Sequence, residues 1–126
     1  VATNIGVHFF DMLHWIFGAR RQSTVTTGTA RTNGGVLELD RATVHWHLSI
    51  DENELPAEAR ANGKRTYRHI TVDGEPLEFS EGFGDLHTVS YQQILAGNGF
   101  GLADCYAAID TVAEIRRQVR GLGAVD

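Results

Sequence analysis

Three polar side chains suited to acid–base chemistry recur at helical spacing near the start of the sequence: Asn4, His8 and Asp11. At 100° per residue, Asn4 and Asp11 fall about 40° and 60° from His8, on the same side of a helix. A carboxylate three residues from a histidine can accept its ring N–H and raise the basicity of the ring. The pattern therefore predicts a general base suited to a ligand that carries hydroxyl groups.

The same stripe also fits a purely structural role. Burying polar groups on an otherwise apolar helix costs free energy unless each group finds a partner, and a hydrogen-bonded core histidine meets that condition. Spacing alone slightly favours this structural interpretation, so the interpretation as a general base needs independent support.

Two other patterns suggest further sites. His45 and His47 alternate on a predicted strand and point the same way, as metal-binding pairs do, but the sequence offers no evident third ligand. A polar or interface face of a sheet is the favoured interpretation, and no metal is predicted.

His87 and Tyr91 are one helical turn apart after the glycine-bearing loop 81–84, where a helix N-terminus would favour an anion such as phosphate. Plain packing explains that pair at least as well.

Other reactive patterns are excluded. Gly97, Gly99 and Gly101 follow a predicted helix and no strand, so they do not form a dinucleotide-binding loop. Cys105 falls in a predicted apolar helix stripe and is assigned to the core, and no serine has the context of a nucleophile elbow. A single cysteine favours a reducing compartment, and we expect a cytoplasmic protein.

A helix over residues 3–17 is predicted to carry the Asn4–His8–Asp11 stripe. Thr3 or Asn4 is suited to cap its start, and Gly18 follows its last apolar residue, where a C-terminal glycine belongs. Because the segment is apolar on nearly all sides, we expect the helix to be buried.

The remaining elements predict an α+β fold, a mainly antiparallel sheet with helices packed on one face. Predicted strands cover 23–32, 36–39, 42–50, 67–72 and 77–79, with turns at 33–35, 40–41 and Asp73-Gly74. Along 42–50, Val44, Trp46, Leu48 and Ile50 share one face, and Thr43, His45, His47 and Ser49 share the other. Residues 51–66 are predicted to be a loop with one helical turn near Glu58. Two helices cover 85–96 and 102–120, the second with Leu102, Cys105, Ile109, Val112, Ile115 and Val119 on its apolar stripe.

Length and composition restrict the class of protein. The chain has 126 residues, 42% of them hydrophobic and 21% charged, which indicates one globular domain. A net charge of −5 argues against a nucleic-acid or anionic-membrane surface. The longest apolar stretch is too short and too polar to cross a bilayer. Because the chain begins with Val1 and has one methionine, we expect a piece of a longer protein.

The opening residues Asn4-Ile5-Gly6-Val7-His8-Phe9-Phe10-Asp11 resemble the catalytic helix of Gfo/Idh/MocA-type NAD(P)-dependent sugar oxidoreductases. The rest is similar to one subgroup, the UDP-N-acetyl-2-amino-2-deoxyglucuronate dehydrogenases of surface polysaccharide synthesis. Matching stretches are Val44–Asp51, Ile70–Gly74, Leu77–Phe83, Asp85–Thr88, Ile94–Gly101 and Asp104.

The resemblance implies a two-domain enzyme, with NAD on an N-terminal Rossmann domain and the sugar on a C-terminal α+β domain. This chain matches only the second, so residues 1–126 would be a single substrate-binding and oligomerisation domain. The Rossmann domain and its catalytic lysine are absent, and we expect the fragment alone to be inactive. By analogy, the parent enzyme oxidises the 3-hydroxyl of UDP-N-acetylglucosaminuronic acid and passes hydride to NAD+.

The resemblance also implies roles for individual residues. His8 matches the active-site histidine, Asn4 matches the residue that orients the sugar, and Asp11 supports His8. His87 and Tyr91 are further expected substrate contacts. The resemblance further implies a homo-oligomer in which the open sheet face packs against another subunit, which gives Thr43, His45, His47 and Ser49 an interface role. The alternative hypothesis is a non-catalytic α+β binding or assembly module.

Overall fold

The computed structural model describes residues 1–77 and 85–123 of the chain. The described residues form two compact units, one made of residues 1–51 and 102–123, the other lying within residues 52–101. The predicted loop at 81–84 and most of the predicted strand 77–79 lie outside the described residues.

The first unit contains a three-stranded antiparallel sheet in the order β1-β2-β3. Its strands are β1 (Arg20–Gly28), β2 (Thr32–Leu39) and β3 (Thr43–Ser49). The predicted alternation is confirmed over residues 43–48, because Thr43, His45 and His47 are exposed while Val44, Trp46 and Leu48 pack against the core. Ile50, predicted to lie on the core face, follows the end of β3 and is exposed. One face of the sheet is therefore covered, and the other carries threonine and histidine.

Two helices supply the other side of this core. α1 (Val7–Phe17) follows a five-residue π-helical segment, Ala2–Gly6, and α4 (Leu102–Gly121) returns from the end of the chain. Phe10 of α1 and Val112 and Ile115 of α4 join Val25, Leu37 and Leu39 of the sheet in the buried cluster. The Phe10 ring meets the Trp46 ring edge-on, with centroids 5.4 Å apart. The predicted α+β fold, with helices on one face of an antiparallel sheet, is confirmed.

A glutamine holds α4 against the outer edge of β1. Gln118 Oε1 accepts the Val25 backbone N–H at 2.8 Å, and Gln118 Nε2 donates to the Ser23 carbonyl at 2.8 Å. The side-chain amide thus pairs with an edge strand as a neighbouring strand would. Gln118 Nε2 also donates to Glu114, which Arg117 holds from the other side.

The expectation that the first helix is buried is wrong. Within α1 only Phe10 is buried, and the Trp15 side chain is 81% exposed. Val7, Leu13 and Phe17 are partly buried against the core along one side of the helix, whereas Trp15 and Ile16 are exposed. Its start also differs, because helical geometry begins at Ala2 and neither Thr3 nor Asn4 caps it. The predicted end is confirmed, since Gly18 closes α1 at a φ of 92°.

The predicted turn at Asn33-Gly34-Gly35 is also wrong, because these residues lie inside β2. A Cβ at position 35 would collide with the Thr24 carbonyl oxygen of β1, so this glycine permits close approach of two strands. The chain turns earlier, where the Thr29 hydroxyl accepts hydrogen bonds from the backbone N–H groups of Arg31 and Thr32.

The predicted apolar stripe of α4 is confirmed only in its second half, where Val112 and Ile115 are buried and Val119 packs against the core. Leu102, Cys105 and Ile109 are exposed, whereas Ala108, Thr111, Val112 and Ile115 are buried. Fully buried Thr111 lies at the centre of the face that contacts the core, a polar residue that a hydropathy pattern does not select.

The second unit contains short elements. A 3₁₀ turn (Glu52–Glu54) precedes α2 (Ala57–Ala61), which confirms the predicted helical turn near Glu58. β4 (Thr71–Val72) and β5 (Glu75–Pro76) flank Asp73-Gly74, whose positive φ angles confirm the predicted tight turn. β4 covers only the last two residues of the predicted strand 67–72, and β5 lies before the predicted strand 77–79, most of which is outside the described residues. Among the described residues, β4 and β5 pair only with each other. α3 (Leu86–Leu95) follows as expected.

Across the described parts of the chain, none of the helices combines the length and the apolar character that membrane crossing requires.

Candidate functional site

The helix at the start of the chain presents all three residues of the predicted stripe to solvent. Asn4 lies in the π-helical segment, His8 in the first turn of α1 and Asp11 one turn later, and each is exposed. Within residues 1–77 and 85–123, no hydrogen bond or ion pair joins any of these three side chains to another group. The interpretation of His8 as a hydrogen-bonded core histidine is therefore wrong, and its ring is open to a ligand.

Gly6 explains how the start of this helix can lie so close to the sheet. A Cβ at position 6 would be 2.8 Å from Leu48 Cδ1 of β3 and 3.0 Å from Phe10 Cε2. His8 is two residues further on, roughly 200° around a helix, and so points away from that contact. Packing at Gly6 thus turns the His8 ring outward.

The far end of α1 is held by the turn between β2 and β3. The Ala19 backbone N–H donates to Asp40 Oδ2 at 2.8 Å, and the Asp40 N–H donates to the Ala19 carbonyl at 3.0 Å. The hydrogen bond from Ala19 is the main cause that lowers the pKa of Asp40, and neighbouring Arg21 and Arg41 act in the same direction. A charged Asp40 therefore anchors the junction between α1 and β1.

His14 ties α1 to α4 and was not predicted as a functional residue. Its Nδ1 lies 3.1 Å from the Gly18 carbonyl oxygen, and its Nε2 lies 2.8 Å from the Thr111 hydroxyl. A carbonyl can only accept, so Nδ1 carries a proton, and in the neutral ring Nε2 accepts from the Thr111 hydroxyl. No local signal could reveal this contact, because its partners are 97 residues apart in the sequence.

The second predicted pair lies in the other unit. His87 and Tyr91 are exposed on successive turns of α3, as their spacing predicts. Asp85 precedes the helix in a left-handed conformation, and its carboxylate gives the helix start a negative charge that counts against an anion there. Their role as substrate contacts stays a prediction.

His45 and His47 project from the uncovered face of the β1-β2-β3 sheet, as their spacing predicts. In the part of the chain that the structure describes, no three histidine, cysteine or acidic side chains gather closely enough to hold a metal ion. The described strands are all antiparallel, so no strand–helix–strand unit for a dinucleotide is formed from them.

The arrangement on α1 has a definite chemical capacity. A neutral amide, an imidazole and a carboxylate lie exposed on one helix, which is fixed by Gly6 at one end and by Asp40 and His14 at the other. Such a set can hydrogen-bond hydroxyl groups and can accept or donate one proton near neutral pH.

Comparison with known proteins identifies a family and two solved structures that this chain resembles. Residues 1–53 match the family described as oxidoreductase family, C-terminal alpha/beta domain, of the Gfo/Idh/MocA type. A WlbA (WbpB) dehydrogenase from Thermus thermophilus, solved with NAD and alpha-ketoglutarate, is 53% identical over 92% of this chain, with a TM-score of 0.85. The same kind of dehydrogenase from that organism, solved with NAD and UDP-GlcNAcA, is 53% identical over 91% of this chain, with a TM-score of 0.83.

The chain spans 38% and 37% of the lengths of those two proteins. The family match includes α1 and the whole β1-β2-β3 sheet, and the structural likeness extends over most of the remaining residues. The chain therefore belongs to the Gfo/Idh/MocA oxidoreductase family, as a C-terminal α/β domain.

Proposed function

We propose that this chain is the substrate-binding domain of an NAD-dependent dehydrogenase that oxidises the 3-hydroxyl of a UDP-N-acetylglucosaminuronic acid in surface polysaccharide synthesis. The observation that carries the proposal is the exposed Asn4–His8–Asp11 stripe on a helix that is fixed at both ends. The two Thermus thermophilus dehydrogenases support it, since one was solved with NAD and a UDP-sugar.

Each residue of the stripe has a separate role in the proposed reaction. Oxidation of a secondary alcohol to a ketone removes a hydride from carbon and a proton from oxygen. The His8 imidazole takes the hydroxyl proton, and the neutral Asn4 amide holds a sugar hydroxyl by hydrogen bonding without competing as a base. The Asp11 carboxylate stabilises the imidazolium that forms. His87 and Tyr91 are assigned to contacts with the substrate.

The described residues offer NAD no dinucleotide fold, so the proposal places the cofactor on a separate Rossmann domain. Residues 1–126 then act as one substrate-binding and oligomerisation domain of a cytoplasmic enzyme. Copies associate through the uncovered sheet face, where Thr43, His45 and His47 are exposed. These side chains are polar and carry no formal charge when the histidines are neutral, which suits a contact between like chains.

The test replaces His8 with phenylalanine in the full-length parent protein, with NAD reduction followed by absorbance and the UDP-sugar as substrate. We expect kcat to fall by about 10²–10⁴-fold, the usual contribution of a general base. The melting temperature should be unchanged, because His8 is exposed and makes no hydrogen bond among the described residues.

His69→Phe is the matched control, since His69 is also exposed but lies outside the stripe. It should retain activity within a few-fold. Wild-type turnover by His8→Phe would instead support a non-catalytic binding or assembly module.

A further inference from the structure

Asparagine followed by glycine occurs at three places in the sequence, at 33–34, 62–63 and 98–99. Asparagine is one of the chemically labile residue types of proteins, because it can lose its side-chain amide by deamidation. In that reaction the backbone nitrogen of the next residue attacks the carbonyl carbon of the asparagine side chain. Glycine favours the attack, since it has no Cβ to shield its nitrogen and restricts the backbone least. The sequence therefore gives three candidate pairs, and their local structure decides among them.

The first pair is fixed inside the β1-β2-β3 sheet. Asn33 is 5% exposed, and its Nδ2 donates to the carbonyl oxygens of Thr29 at 3.1 Å and Thr32 at 2.9 Å. Gly34 is paired with residues of both β1 and β3. Ring closure rotates the backbone between the two residues out of its extended conformation, so the sheet has to open before Asn33 can react.

The second pair follows α2, and the nitrogen that would attack is already hydrogen-bonded. The Gly63 backbone N–H donates to the Arg60 carbonyl oxygen at 3.0 Å. The Asn62 backbone N–H donates to the Glu58 carbonyl oxygen at 3.1 Å. The helix end therefore has to unwind, and the hydrogen bond of Gly63 has to break, before this pair can react.

The third pair follows α3 and is the least restrained. Gly97 ends the helix in a left-handed conformation with a φ of 83°, and the Asn98 backbone N–H donates to the Gln93 carbonyl oxygen at 2.8 Å. The Gly99 N–H, by contrast, makes no hydrogen bond to another residue that the structure describes. The Asn98 side-chain amide donates to Gln93 Oε1 at 3.2 Å, a longer contact than either of those that hold Asn33. All contacts of this pair used here lie within residues 93–99.

We propose that Asn98–Gly99 is the site at which the folded chain deamidates spontaneously. A bond forms between the Gly99 backbone nitrogen and Asn98 Cγ, and the bond between Cγ and Nδ2 breaks. Nδ2 leaves as ammonia with the proton that the Gly99 nitrogen gives up, and a cyclic imide remains. Water then opens the ring at either of its carbonyls, which leaves aspartate or isoaspartate at this position.

The reaction weakens the end of α3. An ionised carboxylate cannot donate, so the hydrogen bond from the Asn98 side chain to Gln93 is lost. The new negative charge also lies next to the C-terminal end of the helix, where the helix dipole disfavours it. We therefore expect the last turn of α3 to be less stable in the deamidated chain.

The test ages the folded 126-residue chain in mildly alkaline buffer and follows the amide-to-acid mass gain of each pair in tryptic peptides. Cleavage after Lys and Arg places the three asparagines in separate peptides, 32–41, 61–64 and 69–116. Asn98 should react roughly tenfold or more faster than Asn33, and also faster than Asn62, because the other two pairs must first open hydrogen-bonded structure. In strong denaturant the three rates should become similar, since all three pairs consist of the same two residue types.

Asn98→Gln removes the site while it keeps an amide, because the longer side chain closes its ring slowly, and Asn62→Gln is the matched control. Acidic forms, separated by ion-exchange chromatography, should accumulate in wild type and in Asn62→Gln but not in Asn98→Gln. Equal accumulation in all three chains overturns the proposal. So does reaction of Asn33 or Asn62 as fast as Asn98 in the folded chain, or an order of rates that is the same in denaturant.

Discussion

The hydrogen bonds of His14 fix the end of the helix that carries His8. The imidazole spans from the Gly18 carbonyl, where α1 ends, to the hydroxyl of Thr111, which is fully buried in α4. A ring that donates at Nδ1 and accepts at Nε2 satisfies both partners at once, and a Leu or Phe of similar size would satisfy neither. The outward direction of the His8 ring thus depends in part on a histidine that takes no proton in the proposed reaction.

A double-mutant cycle on His14→Leu and Thr111→Val measures this contact. Each single variant should lower the free energy of unfolding by about 1–3 kcal/mol, because a buried polar group loses its partner. The double variant should be less destabilised than the sum of the two, with a coupling of about 1 kcal/mol, because both polar groups are then gone. Additive losses in urea titrations would show that the two side chains do not interact.

At the scale of elements, the docking of α4 on β1 depends on an ionised carboxylate. Arg117 first, and Gln118 second, lower the pKa of Glu114 from 4.5 to about 2 through side-chain hydrogen bonds. Gln118 is the same residue that pairs with the outer edge of β1. Protonation of Glu114 therefore weakens the support of the side chain that holds helix and strand together.

The pH dependence of stability follows from that direction of shift. Because the pKa of Glu114 is lower in the folded chain than in the unfolded chain, its carboxylate stabilises the fold above pH 4.5, and this contribution is lost as the pH falls towards 2. Glu114→Gln should be less stable than wild type at pH 7, and the difference should vanish near pH 2. The control Glu58→Gln, at an exposed position of α2, should differ from wild type equally little at both pH values.

Local sequence patterns correctly predicted the elements that depend on interactions between residues close together in the sequence. The alternation along β3, the Asp73-Gly74 turn and the Gly18 end of α1 depend on local backbone conformation and were predicted correctly. The need for glycine at position 35 could not be predicted in this way, because it comes from the close approach of the Thr24 carbonyl on another strand. The α4 stripe was predicted correctly at Val112 and Ile115 but missed Thr111, a buried polar residue that a hydropathy pattern does not select.

In the candidate site, too, local spacing predicted some features and tertiary contacts determined the others. A shared face for Asn4, His8 and Asp11 is a prediction from helical spacing; in the structure all three are exposed, with Asn4 in the π-helical segment before α1. Their exposure was not predictable from hydropathy, because an apolar helix is expected to be buried on every side. The supports at Leu48, Asp40 and Thr111 are tertiary contacts, which no local pattern contains.

At the scale of the whole molecule, the proposed reaction needs groups from two domains, one that holds the base and one that holds the cofactor. In the proposed function the chain supplies a base and hydroxyl-binding groups, but it spans only 38% of a related dehydrogenase, and its described strands form no dinucleotide fold. The hydride leaves the carbinol carbon and the proton leaves its hydroxyl oxygen, so a domain that holds only the base contributes orientation without turnover. The proposed function therefore predicts that substrate recognition and catalysis can be separated.

The 126-residue chain alone should produce no NADH when it is mixed with NAD and the UDP-sugar, whereas the parent protein should. Binding is the readout that distinguishes an inactive domain from an unfolded one. In heteronuclear NMR titrations, the UDP-sugar should shift the amide signals of Asn4, His8 and Asp11 in the isolated chain, and NAD should shift none of them. Reduction of NAD by the chain alone, or NAD-induced shifts along α1, would contradict the assignment of the cofactor to a separate domain.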